Sequence, residues 1–474
     1  MFLFRRIIAL IVSAWFFFNP VSTATVGFSD GTPIIPERKE YRYDNDRLLV
    51  GAYAFRPWGM NDDNVRYMSE AGLDFIISGA TEEYLDLCEK YGVGVIAQGY
   101  SLPHSSQIIS DEKFNTYSAL NKSAIKDHPA LWGDDIVDEP LFETLDRAGQ
   151  CLGYYNEVYS DKNGFINLLP GNAFDGATAP FSLRAVYSVM AKGFGKVQID
   201  EYAGTKLADA YAQALYHCNP SVYEFRKYVS DYVNKVPGDY ISVDIYPMRL
   251  NDVTLDMWLP TLDVCATAAR DTGRDFWVIT QSSGYFENED KGEVRACSEE
   301  DLRWQMYTSL AFGARAVVHA TYLGGWWDHT ANMIDDNGNR TGNYYSVQKV
   351  NSEVKTFAEI YGDYKWNGCY LTNGHLADGT DSGYLDAEPE EKNCEITTAS
   401  PVLTGCFESE NDDSQAYVFV NMHNTADDEN AKINVTFDDA EKITVYRKGM
   451  ITEIDGDTLD ITLENEEGIF VIVS

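Results

Sequence analysis

Short apolar runs alternate with longer amphipathic stretches from Leu48 to about Tyr361. Each apolar run has the length of a buried strand, and each amphipathic stretch has a helical spacing of apolar residues. Asn61 and Thr81 stand where helix N-caps belong, and acidic residues follow both of them, as suits a first helical turn. Eight strand–helix units in succession predict a parallel α/β architecture of the (β/α)8 TIM-barrel type.

The eight predicted strands cover residues 48–53, 73–78, 93–98, 130–137, 165–169, 240–246, 276–280 and 316–322. A helix is predicted after each strand except the fifth, where residues 171–202 form an irregular insertion before a long helical stretch. A doubly wound open sheet is the structural alternative. The first strand is not followed by a glycine-rich phosphate loop, which favours the barrel.

The pattern changes after about Tyr364, where short β-rich runs alternate with turns such as Asp455-Gly456. This spacing predicts a small antiparallel β-sandwich, so we expect a barrel domain at residues 48–363 and a sandwich domain at residues 364–474. The sandwich is either a structural brace or a carbohydrate-binding module. The absence of an aromatic cluster in its sequence favours the brace.

The first 24 residues have the features of a secretory signal peptide. Arg5 and Arg6 precede an apolar run at residues 7–18, and Ser22 and Ala24 are small residues of the kind found at cleavage sites. The run is short for a membrane span. We therefore expect a secreted or extracytoplasmic protein, with residues 25–47 as a lead-in, no membrane partner after signal cleavage, and a retained anchor as the alternative.

Charge and cysteine content narrow the classes of partner. The chain has 74 acidic and 37 basic residues, a net charge of −37, so nucleic acid and anionic membrane surfaces are unfavourable partners. Neutral glycans remain compatible with this charge. Eight cysteines in an exported chain permit disulfides, and Cys394 with Cys406 forms the pair most suited to one by proximity in sequence. Nothing in the sequence indicates an oligomeric state.

In a barrel enzyme, the reacting groups come from the C-terminal ends of different strands. Here these ends offer carboxylates, amides, aromatic rings and an arginine, without a nearby lysine base, a Ser-His-Asp order or a His-x-His metal pattern. We therefore expect neither a metal nor another cofactor, and metal binding by Asp138, Glu139 and Asp244 is the less favoured alternative because histidine is scarce at these ends. Paired carboxylates flanked by aromatic rings suit the cleavage of glycosidic bonds, in which one carboxylic acid protonates the leaving oxygen and a second carboxylate attacks or activates water.

Several motifs resemble those of the retaining (β/α)8 glycoside hydrolases, the clan that includes many β-galactosidases and cellulases. Asp138-Glu139-Pro140 resembles that clan's Asn-Glu-Pro at the end of strand four, whose glutamate is the acid/base. Residues 244–247, Asp-Ile-Tyr-Pro, resemble a strand-six ending of related secreted proteins. Residues 303–314 and 334–341 are similar to the helix before strand eight and to the loop after it in β-galactosidase-like members. The resemblance implies a secreted glycoside hydrolase that acts on an oligo- or polysaccharide.

The chain departs from the clan at strand seven, where the clan has its nucleophilic glutamate and this sequence has Gln281. The second carboxylate is then either Asp244, at a strand end, or a loop acid, Glu287 or Glu289. We prefer Asp244 because a strand end holds a side chain more rigidly. A structural role for Asp244, paired with Arg56, is the alternative. A third reading is a catalytically inactive glycan-binding protein on a glycosidase scaffold.

We thus predict Glu139 as the general acid/base, Asp244 as its partner, and Asp138 as a residue that tunes its neighbour or holds a substrate hydroxyl. His319, inside an apolar strand, is predicted to be a core histidine. The predicted substrate contacts lie at or just after strand ends: Arg56, Trp58, Asn167, Tyr246, Gln281, Tyr322, Trp326 and Trp327.

Overall fold

The computed structural model describes residues 46–98, 125–193, 216, 218–249, 257–288, 292–324, 331–373, 385, 387–389, 391–423 and 429–474. The predicted signal peptide and lead-in, nearly all of the predicted third helix, and Trp326 and Trp327 lie outside these ranges. The domain boundaries stay predictions. Within the described ranges, no helix combines the length and the apolar character needed to cross a membrane.

Eight parallel strands close into a barrel, which confirms the predicted fold. The barrel strands are β1 (Leu49–Phe55), β2 (Phe75–Gly79), β3 (Gly94–Gln98), β4 (Leu131–Asp138), β5 (Asn163–Leu168), β6 (Tyr240–Ile245), β7 (Asp275–Gln281) and β10 (Ala314–Leu323). Each pairs with its neighbours in chain order, and β1 pairs with β10 to close the ring. Between β7 and β10, a short antiparallel hairpin is formed by β8 (Tyr285–Asn288) and β9 (Gly292–Val294).

Where the chain is described, helices follow the strands as the sequence pattern predicts, and Asn61 and Thr81 cap the first two through their side chains. The described α-helices are α1 (Asp62–Glu70), α2 (Glu82–Tyr91), α3 (Leu145–Val158), α4 (Phe181–Gly193), α5 (Pro220–Lys235), α6 (Trp258–Thr272), α7 (Glu299–Ala311), α8 (Gly342–Val354) and α9 (Ala358–Gly362). Helix α4 corrects one prediction, because it lies within the insertion that we expected to be irregular.

Aromatic rings fill the interior of the barrel. The rings of Tyr240 and Trp277 stack with centroids 4.6 Å apart, and Phe75 lies 5.5 Å from Trp277 and 6.1 Å from Trp132. Gly94 makes room for this packing, since a Cβ there would lie 2.1 Å from the Trp132 ring. The packed rings make the interior a solid core, so polar chemistry is confined to the end of the barrel where the strands finish.

His319 lies on β10 and is buried, as predicted for a core histidine. Its Nε2 lies 2.9 Å from the side-chain oxygen of Asn351 on α8. Burial lowers the pKa of the imidazole to about 4, so the ring is neutral near neutral pH.

The C-terminal part is a β-sandwich, also as predicted. A six-stranded sheet has the order β11-β13-β14-β19-β16-β17, and a three-stranded sheet has the order β12-β15-β18. These strands are β11 (Tyr364–Thr372), β12 (Cys394–Thr398), β13 (Val402–Ser409), β14 (Gln415–Asn421), β15 (Ala431–Phe437), β16 (Lys442–Arg447), β17 (Met450–Asp455), β18 (Thr458–Leu463) and β19 (Gly468–Val473).

The sandwich packs directly against helix α7 of the barrel. A Cβ at Gly468 would lie 2.3 Å from the Tyr307 side chain, and a Cβ at Gly405 would lie 2.4 Å from the carbonyl oxygen of Ala311. Such close approach requires glycine at both positions. The indole N–H of Trp366 donates to the same Ala311 carbonyl at 2.8 Å. These contacts fit a brace that supports the barrel wall.

Cys394 and Cys406 do not form the disulfide that their spacing suggested, because both are free thiols in this structure. Cys394 lies on β12 of the smaller sheet and Cys406 on β13 of the larger one. Both contribute to the core between the two sheets. Burial raises the pKa of both thiols, and the raised value disfavours the reactive thiolate.

Candidate active site

A β-bulge in β4 aims two of its carboxylates at the same side of the barrel wall. Asp135 pairs with Phe165 of β5, but the next pair along the strands joins Val137 to Ile166, so Ile136 is an extra residue. Ile136 and Val137 both pack in the layer between strands and helices. Asp135 and Asp138 therefore both point inward, which strict alternation would not allow for residues three apart.

Glu139 has a left-handed backbone conformation, with φ of 48°. This conformation is rare for a residue with a long side chain and costs on the order of 1–3 kcal/mol. Two hydrogen bonds hold the turn: the Glu139 N–H donates to the Asn167 carbonyl at 2.9 Å, and the Tyr228 hydroxyl donates to the Pro140 carbonyl at 2.6 Å. The strained turn changes the direction of the chain directly after β4 and keeps the Glu139 side chain half-buried at the mouth.

Asp244 comes from the end of β6 and meets Glu139 there. Its carboxylate accepts a hydrogen bond from Asn167 Nδ2 at 2.7 Å and a second one from the Tyr246 side chain. Asp244 also forms a side-chain hydrogen bond with Glu139. The structure thus brings the two predicted catalytic acids, which are more than 100 positions apart in the chain, into direct contact. The donors to Asp244 are an amide and a phenol, in place of the Arg56 ion pair that we considered.

The pKa values of both acids are raised. Burial is the largest cause for Glu139, followed by the charges of Asp244 and Asp138. Burial is also the largest cause for Asp244, and the charge of Asp138 adds to it, while the hydrogen bonds from Asn167 and Tyr246 act in the opposite direction. Asn167 and Tyr246 donate to Asp244 and stabilise its anion, whereas among the described residues Glu139 has no such donor, so this environment favours the proton on Glu139 over Asp244.

Asp138 and Asp135 belong to a second group of hydrogen bonds beside this pair. The Tyr53 hydroxyl lies 3.5 Å from Asp138 Oδ2, and Gln98 Nε2 donates to the Tyr53 hydroxyl at 2.9 Å and to Asp135 Oδ2 at 3.1 Å. Burial, with the charge of Asp138 second, raises the pKa of Asp135 to about 8. Burial also raises the pKa of the Tyr53 phenol, which therefore stays a hydrogen-bond donor.

Tyr53, Asp135 and Ser242 are site residues that the sequence interpretation missed. Tyr53 ends the first predicted strand, and a count of polar strand ends could have included it. Asp135 lies three residues before Asp138, so only the bulge places the two on one side. Ser242 lies mid-strand, where a lone serine gives no signal.

Asn167 lies between the two groups of acids and is only 2% exposed. Its Nδ2 lies 2.7 Å from Asp244 and 3.5 Å from Asp138, and its Oδ1 accepts from the Ser242 hydroxyl at 3.1 Å. Both ends of the amide are therefore engaged by the protein. This corrects the prediction that Asn167 contacts a substrate hydroxyl.

Gln281 is a second correction, because its side chain is fully buried. Its Oε1 accepts from the Met248 N–H at 2.8 Å, and its Nε2 donates to the carbonyls of Met248 at 3.3 Å and Arg295 at 2.5 Å. The amide joins the loop after β6 to the segment after β9. With every polar atom used in this way, Gln281 has no group left for a sugar hydroxyl.

Tyr322 is a third correction. Its ring is fully buried, and its hydroxyl donates to the Asn64 carbonyl at 2.7 Å, in the layer between strands and helices. Arg56 follows β1 and packs against Gly324, since a Cβ at Gly324 would lie 2.1 Å from Arg56 Cγ. Trp58 is 48% exposed on a short 3-10 helix, Pro57–Gly59. The roles of Arg56 and Trp58 toward a substrate stay predictions.

Tyr246 is half-buried and lies with the acids. The charge of Asp244, after burial itself, raises the pKa of its phenol, which keeps the hydroxyl protonated as a donor. The Glu287 side chain and residue 289, the loop alternatives for the second carboxylate, lie outside the parts of the chain whose side chains are described. The predicted contacts Trp326 and Trp327 do as well.

A grouping of possible metal ligands elsewhere on the described surface consists of Asp86, Glu89 and His128. It lies before the start of β4, away from the acids at that strand's end. The Nδ1 of His128 accepts the Ala130 N–H at 3.1 Å, so a neutral ring carries its proton on Nε2, the atom that faces Asp86 at 3.3 Å. In that tautomer Nδ1 accepts the Ala130 N–H and Nε2 carries a hydrogen, so neither nitrogen has a lone pair for a metal. We interpret the grouping as a polar cluster on the surface.

No protein-family model matches the sequence, and no curated protein matches it either. The chain is similar to solved structures of glycoside hydrolases. A family 30 subfamily 8 xylanase from Clostridium acetobutylicum shares 12% identity over 90% of this chain and 97% of that one, with a TM-score of 0.41. An α-galactosidase I from Mortierella vinacea shares 10% identity over 90% and 97%, with a TM-score of 0.38.

The β-galactosidase from the psychrophilic Marinomonas ef1 shares 12% identity, with a TM-score of 0.38, over 66% of this chain and 60% of that one. This chain therefore spans less than two thirds of that enzyme. Similarity at this level concerns the fold alone, and the closed ring of eight parallel strands already establishes that the chain is a (β/α)8 barrel with an appended β-sandwich.

Proposed function

We propose that the protein is a secreted glycoside hydrolase that cleaves O-glycosidic bonds of an oligo- or polysaccharide, with Glu139 as general acid/base and Asp244 as nucleophile. The observation that carries the proposal is the contact between these two carboxyls at the mouth of the barrel. They come from the ends of different strands, and their burial and neighbouring charges raise both pKa values, which favours the pairing of one protonated and one ionised acid that this reaction needs.

In the proposed first step, the Glu139 carboxyl gives its proton to the glycosidic oxygen while the bond from that oxygen to the anomeric carbon breaks. The Asp244 carboxylate attacks the anomeric carbon and forms a glycosyl ester. In the second step, the Glu139 carboxylate takes a proton from water, whose oxygen displaces Asp244 and restores both acids.

A direct carboxyl–carboxyl contact favours a nucleophilic role for Asp244 over activation of water. Inverting enzymes hold their two carboxyl groups roughly 6.5–9.5 Å apart to admit a water molecule, whereas retaining enzymes hold them roughly 5–5.5 Å apart. The side-chain hydrogen bond between Glu139 and Asp244 leaves no room for a water molecule between the two acids, which is why we prefer the nucleophilic role. Entry of the scissile bond separates the two acids by a small displacement of the Glu139 side chain, which is the more exposed of the two.

The test is a screen of aryl glycosides and polysaccharides with the protein from residue 25 onward. We expect turnover of at least one substrate by wild type, and a loss of about 10²–10⁴-fold in Glu139→Gln. Glu143→Gln is the matched control, because it is the same substitution at an exposed position four residues further along. It should leave the rate unchanged.

Substrates with activated leaving groups sharpen the assignment. A dinitrophenyl leaving group needs no proton, so Glu139→Ala should still carry out the first step on such a substrate and stop at the glycosyl ester. Asp244→Ala should lose activity on both activated and unactivated substrates. Glycan binding without turnover in wild type would contradict hydrolysis and favour the inactive glycan-binding protein.

A further inference from the structure

We propose that Asn167 is a positioning residue that decides which acid carries the shared proton, by donating its amide hydrogens to Asp244 and Asp138 so that the proton rests on Glu139. This inference rests on the proposed function for its catalytic meaning. It assigns to Asn167, and to Ser242 behind it, a part in the reaction that needs no contact with the substrate.

The first support is the position of Asn167 between the two strands that supply the acids. On β5 it pairs with Asp138 of β4 on one side and with Ser242 of β6 on the other. Its main-chain carbonyl accepts the Glu139 N–H at 2.9 Å, and its side chain donates to Asp244 at 2.7 Å. One residue therefore holds the backbone of the acid and the carboxylate of its partner.

The second support is the orientation of the amide. Its nitrogen faces two carboxyl oxygens, Asp244 Oδ1 at 2.7 Å and Asp138 Oδ1 at 3.5 Å, while its oxygen accepts from the Ser242 hydroxyl at 3.1 Å. The reverse orientation would place the amide oxygen against two carboxylates. Since an amide oxygen cannot donate, the observed orientation is the one that tolerates two anions.

The consequence is an asymmetry between two chemically similar acids. A hydrogen bond donated to a carboxylate stabilises its charged form, and both Asn167 and Tyr246 donate to Asp244. Among the described residues, the hydrogen bond recorded for the Glu139 carboxyl is the one it shares with Asp244. Without the amide hydrogens, Tyr246 alone would donate to the Asp244 anion, and a larger part of the protein would carry the proton on Asp244 in place of Glu139.

The principal variant is Asn167→Asp, which keeps the side-chain shape and the Ser242 contact but replaces the donor with an acid. We expect the acidic limb of the pH profile of kcat/KM to move up by at least about one pH unit, the shift that corresponds to losing one hydrogen bond to a charged group. At a pH below that limb, kcat/KM should fall at least about tenfold. Above the limb, the loss should be smaller, because Asp244 then ionises without help.

Ser242→Ala is the milder variant, because it leaves Asn167 in place and removes only the hydroxyl that donates to Asn167 Oδ1 and thereby fixes the orientation of the amide. We expect the same limb to move in the same direction by a smaller amount, and Ser242→Thr to restore it by returning a hydroxyl. Ser230→Ala is the matched control, since Ser230 is a buried serine whose recorded hydrogen bond uses only its main-chain carbonyl. It should not move the limb.

A purely structural role for Asn167 would lower kcat/KM by the same factor at every pH, and that result would overturn the proposal. A second readout does not need turnover. The pH dependence of urea unfolding should differ between wild type and Asn167→Ala, which adds no titratable group, and placing both in an Asp244→Asn background should remove most of the difference. A difference that survives there would also overturn the proposal.

The two proposals fail in distinguishable ways. Turnover with an unmoved pH limb leaves the hydrolase standing and removes the role of Asn167. An absence of turnover on every glycoside, together with a difference in unfolding that Asp244→Asn cancels, removes the hydrolase and keeps Asn167 as the residue that sets the ionisation of Asp244.

Discussion

Replacement of Asp135 by asparagine tests the electrostatics of the barrel mouth through stability. Asp135 is only 3% exposed, and burial together with the Asp138 charge raises its pKa to about 8. An unfolded aspartate has a pKa of about 3.9. Between these two values the folded protein holds a proton on Asp135 that the unfolded chain has released.

The sign of the effect follows from this difference in proton binding. A pKa that folding raises contributes stability that is complete below the unfolded pKa and is lost as the pH rises through the folded one. Each pH unit inside the window therefore costs wild type about 1.4 kcal/mol through this one group. Asparagine cannot ionise, so the variant does not incur this cost.

We expect the free energy of unfolding of Asp135→Asn, relative to wild type, to rise by about 3 kcal/mol between about pH 5 and pH 7, at about 1.4 kcal/mol per unit. The asparagine oxygen can still accept from Gln98 Nε2, as Asp135 does at 3.1 Å. The new amide hydrogens beside Asp138 add an offset that changes little with pH over this window, so the slope is the quantity to compare.

The assay is urea unfolding at a series of pH values, with the slope against urea compared at each pH to check that the same transition is measured. Asp457→Asn is the control, because it is the same substitution at an exposed position on a turn of the sandwich. Its difference from wild type should be flat. A flat difference for Asp135→Asn would refute the reasoning, because it would mean that the folded protein does not hold Asp135 protonated.

Other predictions use activity and stability. If the protein is a glycosidase, its first product should have the anomeric configuration of the substrate, as NMR during turnover would show, and inversion would exclude Asp244 as nucleophile. Gln281→Ala should destabilise the protein by about 2–4 kcal/mol, because several main-chain groups lose a buried partner, with KM unchanged in the surviving enzyme. Gly468→Ala should cost about 1–3 kcal/mol in calorimetry, because its Cβ would overlap Tyr307; an unaltered melting temperature would contradict tight docking of the sandwich.

The barrel could be predicted from the sequence because its signal repeats. Parallel strands buried on both faces read as continuous apolar runs, and the helices between them carry caps and one apolar stripe. The seventh strand shows the accuracy that this gives: predicted at residues 276–280, it extends over Asp275–Gln281. The hairpin β8–β9 was missed because strands of three or four residues leave too few positions for a period to be recognised.

The residues that face the barrel mouth were harder to predict from the sequence, because residue type does not give the direction of a side chain. Gln281 and Tyr322 both stand at strand ends, yet their polar atoms bond main-chain groups away from any substrate. The sequence suggested that Gln281 contacts a sugar. Its amide instead forms hydrogen bonds that join two loops. The spacing could indicate which residues lie near the mouth, and only the packing decides which of them face it.

The bulge at Ile136 explains why the cluster at the barrel mouth contains Asp135, an acid that the sequence did not indicate. In a regular strand, Asp135 and Asp138 would lie on opposite faces, and one of them would be buried among apolar helix side chains at a high cost. The inserted residue turns both toward Gln98 and Tyr53, whose polar groups meet them. It also sets the direction in which the chain reaches Glu139, where the left-handed turn begins. The local irregularity of β4, more than any single motif, is therefore what assembles the site: it places the charge of Asp138 where it raises the pKa values of Asp135, Glu139 and Asp244 together.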